Sequence, residues 1–112
     1  GGAGADTFIF ATGDSSTVGG SLDQIRDWEG VDKLQFPVSV TSTNYEETTA
    51  ASYDAALSQA QTAVSANARD IVVVQVGSDV VVFVDGNSDN TIDNAVVLVG
   101  RTLADIDGSN FV

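Results

Sequence analysis

The chain opens with GGAGADTFI, in which Gly1, Gly2, Gly4, Asp6 and the apolar Phe8 fit the nonapeptide G-G-x-G-x-D-x-U-x. Glycines let a short loop adopt backbone angles that other residues resist, and so turn its carbonyl oxygens inward. The sixth-position aspartate adds a carboxylate. Oxygens of these two kinds are what a hard divalent cation such as Ca²⁺ takes, six to eight at about 2.3–2.6 Å. A glycine-rich turn with no metal would show the same glycines, so the rest of the chain has to weigh on the choice.

The next nine residues, FATGDSSTV, keep Gly13 and shift the acid to Asp14, and the third nine, GGSLDQIRD, recover Gly19 and Gly20 with the acid at Asp23. In tandem, such units form half-turns of a right-handed roll, each a loop followed by a short strand. Two half-turns close one turn, so the loop at 1–6 is expected against the loop at 19–24, with Asp23 placed to share a cation with Asp6. Gly2, Gly4, Asp6 and Asp23 are the leading ligand candidates. Gly1, Ala3, Gly20, Asp14 and Asp27 are further ones.

A second acidic stretch, DGNSDNTID, sets Asp85, Asn87, Asp89 and Asp93 at positions one, three, five and nine of a calcium-loop count. Position six is Asn90 where such loops have glycine, and position twelve is Val96 where they have glutamate. A hairpin connection rich in residues that bond their own backbone explains the same sequence, and that reading is favoured.

Other chemistry is sparse. The 112 residues contain no histidine and no cysteine, which removes the commonest general base, ordinary zinc ligation and disulfides. Nothing nominates two acids facing one bond across a cleft, as glycoside hydrolysis needs. An autonomous enzyme is not expected. Trp28 could offer a sugar-stacking platform, but on a strand beside Phe8, Phe10 and Phe36 it reads as core.

Four Lys and Arg stand against 16 Asp and Glu, a net charge of −12. The basic residues Arg26, Lys33, Arg69 and Arg101 are scattered, so nucleic acid and anionic membranes are poor partners. No stretch is long enough to span a bilayer. So much negative charge opposes compaction, and a bound divalent cation would offset it; a merely acidic, soluble surface is the alternative.

Around these residues the pattern is mainly β. ADTFIF, LDQIRDWEG and VDKLQF read as short strands before Pro37. Between Thr41 and Asn67 the chain is alanine-rich, and Tyr53, Ala56, Leu57, Ala60, Ala63 and Val64 fall at helical spacing. This predicts one helix over about 50–66, with Asn44 and Glu47 or, alternatively, Ser52 at its start, and Glu46 and Glu47 favouring its dipole. The segment 71–84 is two valine-rich runs around Gly77 and Ser78, a hairpin signal. NAVVLVG adds a strand, and the end reads as a helical turn and an apolar tail. Unbroken valine predicts strands covered on both faces.

GGAGADTFIF, the element Asp23-x-Ile25-x-Asp27-Trp28 with Gly30-x-Asp32-Lys33-Leu34, and the ending AVVLVGRTLADIDGSNFV together resemble the C-terminal region of RTX-type exported proteins. The serralysin metalloprotease C-terminal domain and calcium-dependent S-layer or adhesin tails are similar. The resemblance covers the first ~36 and last ~40 residues in pattern. It implies the last turns of a calcium β-roll over 1–36 and a β-rich cap over 37–112, in one continuous domain. It implies Ca²⁺ held by carbonyls of Gly2 and Gly4 and the carboxylate of Asp6, with Asp23 closing the site. It further implies a secreted or surface-bound module read by type I secretion machinery through an uncleaved C-terminal signal, with any enzymatic activity lying upstream in the parent protein. Asn110 stands where such signals commonly carry an acid. The alternative role is surface attachment or calcium-dependent self-association, through the valine-rich strands or the helix face.

Overall fold

Valine fills both faces of the central strands because both faces are covered. The structure, a computed structural model, describes residues 4–11, 22–41, 43–67, 69–86 and 90–112. Along these the elements run β1 (Thr7–Ile9), β2 (Asp23–Ile25), β3 (Lys33–Gln35), β4 (Tyr45–Ala50), α1 (Tyr53–Asn67), β5 (Ile71–Val76), β6 (Asp79–Val84) and β7 (Asn94–Leu98). Two short 3₁₀ turns, Leu103–Asp105 and Gly108–Asn110, follow. Over the described residues the chain is mainly β with a single α-helix, as the sequence predicts.

Five strands form a mixed sheet in the order β2-β7-β6-β5-β4. Its centre is the β5–β6 hairpin, where Val76 faces Asp79 across a two-residue turn. Gly77 takes φ +59 while Ser78 stays out of the left-handed region, the φ signs of a type II′ turn, which suits the strands' own twist. Alternate residues then go to opposite faces. Ile71, Val73, Val80, Val82, Val84, Val96 and Leu98 join one core cluster, and Val72, Val74, Val81, Phe83, Ala95 and Val97 the other.

Helix α1 covers the second face with Ala56, Ala60, Ala63 and Val64, spaced on one stripe. Ser52 caps it, its Oγ accepting the Ala55 N–H at 3.2 Å. The other expected start, at Asn44 and Glu47, instead falls at the entry and in the body of strand β4, which is parallel to β5 over six residue pairs. Glu46 and Glu47 therefore lie on an edge strand and serve no helix dipole. Asn44 is no cap either. It is buried, accepts the Thr41 N–H at 2.7 Å, and donates to Ser39 O at 2.8 Å and Asp70 Oδ2 at 3.0 Å, tying the entry of β4 to that of β5.

The first face is covered by the other layer. Strands β1 and β3 run parallel, Thr7 beside Lys33 and Ile9 beside Gln35. Phe111 continues this layer as a parallel bridge to Leu34, and the Val112 N–H donates to Leu34 O at 2.9 Å. Trp28 is fully buried beside Phe8, ring centroids 6.3 Å apart, and its Nε1 donates to Asp105 O at 3.0 Å. It is a core residue with its one polar atom satisfied. The valine-rich strands are interior on both sides and offer no face to a partner, which leaves the outer face of α1 for the attachment reading.

Candidate metal centre

The glycine-rich turn enters the described structure at Gly4, whose φ of +91 is left-handed backbone. A Cβ there would meet no atom within 4 Å, so glycine is required by conformation rather than by space. Two residues on, Asp6 is gripped through its main chain. Its N–H donates to Asp32 Oδ1 at 2.9 Å, and its carbonyl accepts the Lys33 N–H at 2.7 Å. Its side chain is treated differently: Oδ2 is buried and has no hydrogen-bond partner among the described residues. An unsatisfied buried acceptor costs about 1–3 kcal/mol, and more when charged. A cation at the carboxylate would supply the missing partner, so the residues present fit a divalent ion at this turn.

The loop at 19–24 expected against Asp6 lies half outside the described residues. Among the described residues, the turn at 29–32 lies against Asp6, with Asp32 twenty-six positions after it. Asp32 is fully buried, and its Oδ2 accepts the Glu29 N–H at 2.8 Å. Both of its carboxylate oxygens are thus engaged by backbone amides. Asp23 opens β2, exposed and opposite Val96 in the five-stranded sheet, while Asp6 leads into β1 of the other layer. The structure shows no hydrogen-bonded register between Asp6 and Asp23. Asp27 is exposed in the bend after β2. Gly1, Gly2, Ala3, Asp14 and Gly20 lie outside the described residues.

In the second acidic stretch, Asp85 is buried and accepts the Asn90 N–H on Oδ2 at 2.9 Å, and its own N–H donates to Asp70 O at 2.8 Å. Asp93 accepts the Gly86 N–H at 3.2 Å and donates its own to Val84 O at 2.8 Å. Asn90 takes φ 68, which asparagine tolerates. These bonds close a connection between β6 and β7, as the hairpin reading predicts. Asn87 and Asp89 fall outside the described residues. Among the described residues, no three acidic side chains gather where they could hold an ion, so a site at the first turn has to draw mainly on carbonyl oxygens beside Asp6.

Two concavities flank α1. One open groove of about 500 Å³ has Glu46 as its single carboxylate among Thr48, Ser58, Gln59 and Thr62. The other, about 460 Å³, has only Asp54. The contacts that two residues make around the turn ending in Asp6 escape the sequence reading. Asp32 was visible in Gly30-x-Asp32-Lys33, an acid just before a strand, but only the parallel pairing of β1 and β3 reveals its donors. Asn110 stands out in the sequence only where an acid is expected, and nothing local points to Gly30 or Asp32 as its acceptors.

No protein-family model matches the chain, and no curated protein matches it.

Proposed function

We propose that the chain is a non-catalytic, calcium-stabilised module that ends a β-roll, caps its edge and carries a C-terminal address for type I secretion, folding fully once outside the cell. The observation that carries this reading is the buried Oδ2 of Asp6, without a hydrogen-bond partner among the described residues, two residues after the left-handed backbone at Gly4. The layer arrangement supports it. β1 and β3 are parallel neighbours, and β2, between them along the chain, belongs to the opposite layer, as in one coil of a roll. The far edge of β3 is closed by Phe111 and Val112, whereas β1 has no partner on its outer side among the described residues. An upstream coil would add there. The export address rests on the resemblance of the C-terminal sequence.

Carbonyls of Gly2 and Gly4 and the carboxylate of Asp6 would hold the ion. When bound, it supplies positive charge to a −12 chain and ties loop residues that otherwise repel. An ion held only by the folded state adds RT ln(1 + [L]/Kd), about 2.7 kcal/mol at a hundredfold excess over Kd. Thermal unfolding in millimolar calcium and in EDTA tests this. A difference of roughly 10 °C is expected, and Asp6→Asn should abolish it while leaving the EDTA melt nearly unchanged. Identical melting curves with and without calcium would sink the proposal.

A further inference from the structure

Strand β4 closes one side of the five-stranded sheet, and no strand pairs with its outer edge among the described residues. The Ile71 N–H donates to Asn44 O at 3.0 Å, which sets the parity of the parallel ladder. Asn44, Glu46, Thr48 and Ala50 turn their backbone groups toward β5, so Tyr45, Glu47 and Thr49 turn theirs outward. Their N–H and carbonyl groups stand in a row along the edge, where a further strand could pair.

Side chains alternate along the same strand. Tyr45 and Glu47 share one face, joined by the bond from the Tyr45 hydroxyl to Glu47 Oε2 at 2.7 Å. Glu46 and Thr48 lie on the other, where they line an open groove of about 500 Å³ with Ser58, Gln59 and Thr62 of α1. An added strand would send every second side chain into this groove.

We propose that the outer edge of β4 and the groove beside it bind an extended segment of another protein that carries lysine or arginine at alternate positions. The row of backbone groups gives affinity and register, and the groove gives side-chain selection. Charge chooses the occupant. Glu46 is the groove's single carboxylate, among hydroxyl, amide and alanine side chains, and Glu47 lies exposed on the opposite face. Arg69 Nε, 3.4 Å from Glu46 Oε1, offsets one of these charges in a chain that carries −12 overall. A second copy is the poorer occupant. Pairing β4 with β4 would bring Glu46 and Glu47 of both chains to one seam, and like charges across a strand pair are destabilising. A cationic strand meets the same acids with opposite charge. This surface involves no metal and does not depend on the calcium reading.

A short capped peptide alternating lysine and threonine, titrated into the full chain while amide hydrogen exchange is followed residue by residue, tests the site. At saturation it should slow exchange at Tyr45, Glu47 and Thr49 about tenfold or more, and leave Glu46 and Thr48, already bonded to β5, unchanged. Thr49→Pro removes an outward N–H without touching the β5 ladder or any charge, and should weaken binding about tenfold. The same peptide N-methylated at alternate residues should bind as poorly to the unaltered chain. If the lysine peptide does not bind, the proposal falls. If it binds but protects no outward amide, or binds Thr49→Pro as tightly, the attraction is general to an acidic chain and the site is wrong. Outward amides that are protected before any peptide is added, and lose protection on dilution, would make a second copy the occupant and overturn the proposal. Should Thr49→Pro fail to fold, the N-methylated peptide and the exchange pattern of the unaltered chain decide.

Discussion

The β5–β6 hairpin and the β1–β3 layer bury their atoms on opposite terms. In the hairpin, Val72, Val73, Val74, Val80, Val82 and Phe83 are completely buried, and the polar demands of the backbone are met by the ladder itself. Such burial is non-directional and forgiving of small shifts. In the β1–β3 layer, the buried groups include a carboxylate with two amide donors, an amide with three bonds and a carboxylate oxygen with none among the described residues. Polar networks of this kind depend on every member being in place. The comparison separates a sheet that is stable on its own terms from a layer whose order is conditional on its partners.

The largest effect should come from the hairpin. Phe83 is fully buried against Tyr53, ring centroids 5.7 Å apart, at the centre of the helix-facing core. Phe83→Ala should cost about 3–5 kcal/mol, measured by urea unfolding, with the same loss in calcium and in EDTA. A loss that depended strongly on calcium would break the distinction between the two regions.

Asp32→Ala should come next, at about 2–3 kcal/mol in the absence of metal, because it leaves the N–H groups of Asp6 and Glu29 without acceptors. Asp32→Asn keeps one acceptor and should fall between the two. The same urea series reads both, and a loss below about 0.5 kcal/mol for the alanine variant would show that the polar clamp contributes little to the layer.

The two regions also differ in how far the sequence disclosed them. Valine runs around Gly77, and alanines at helical spacing, report local periodicity, so the hairpin and α1 were legible within a few residues. The segment 45–50 was not. Tyr45–Ala50 becomes a strand by pairing with β5, a long-range event that leaves no turn signal before Ser52. The turn ending in Asp6 was half legible. Gly4 and Asp6 announce themselves by type and spacing, but the neighbour of Asp6 is set by which strand pairs with β1. The bonded neighbour of Asp6 among the described residues is Asp32, twenty-six positions on, with β2 as the single described strand between β1 and β3. Asn110 was beyond reach for the same reason, since its acceptors lie about eighty residues earlier.

Tyr45 sits where the two regions meet, on the edge strand of the sheet with its ring edge-on to Phe111 of the tail. Burial, together with the hydrogen bond it donates to Glu47 Oε2 at 2.7 Å and the negative charge of Glu47 and Asp107, holds its phenol far above the ordinary value near 10. A pKa raised in the folded state makes a contribution that is complete below the unfolded value and is lost as pH rises beyond it. Stability should therefore begin to fall above about pH 10, while tyrosinate absorbance from the native chain lags behind that of the denatured one. Because the ring is half exposed, solvent screening keeps the effect below about 1 kcal/mol, and Tyr45→Phe should remove it. Asn110→Ala removes the bonds that tie the tail to Gly30 and Asp32. Undocking the tail strips Phe111 from this ring, so the titration of Tyr45 in that variant should move back toward the ordinary value. An unmoved titration there would mean that the tail contributes nothing to the burial of Tyr45, and that the conditional layer ends short of the sheet.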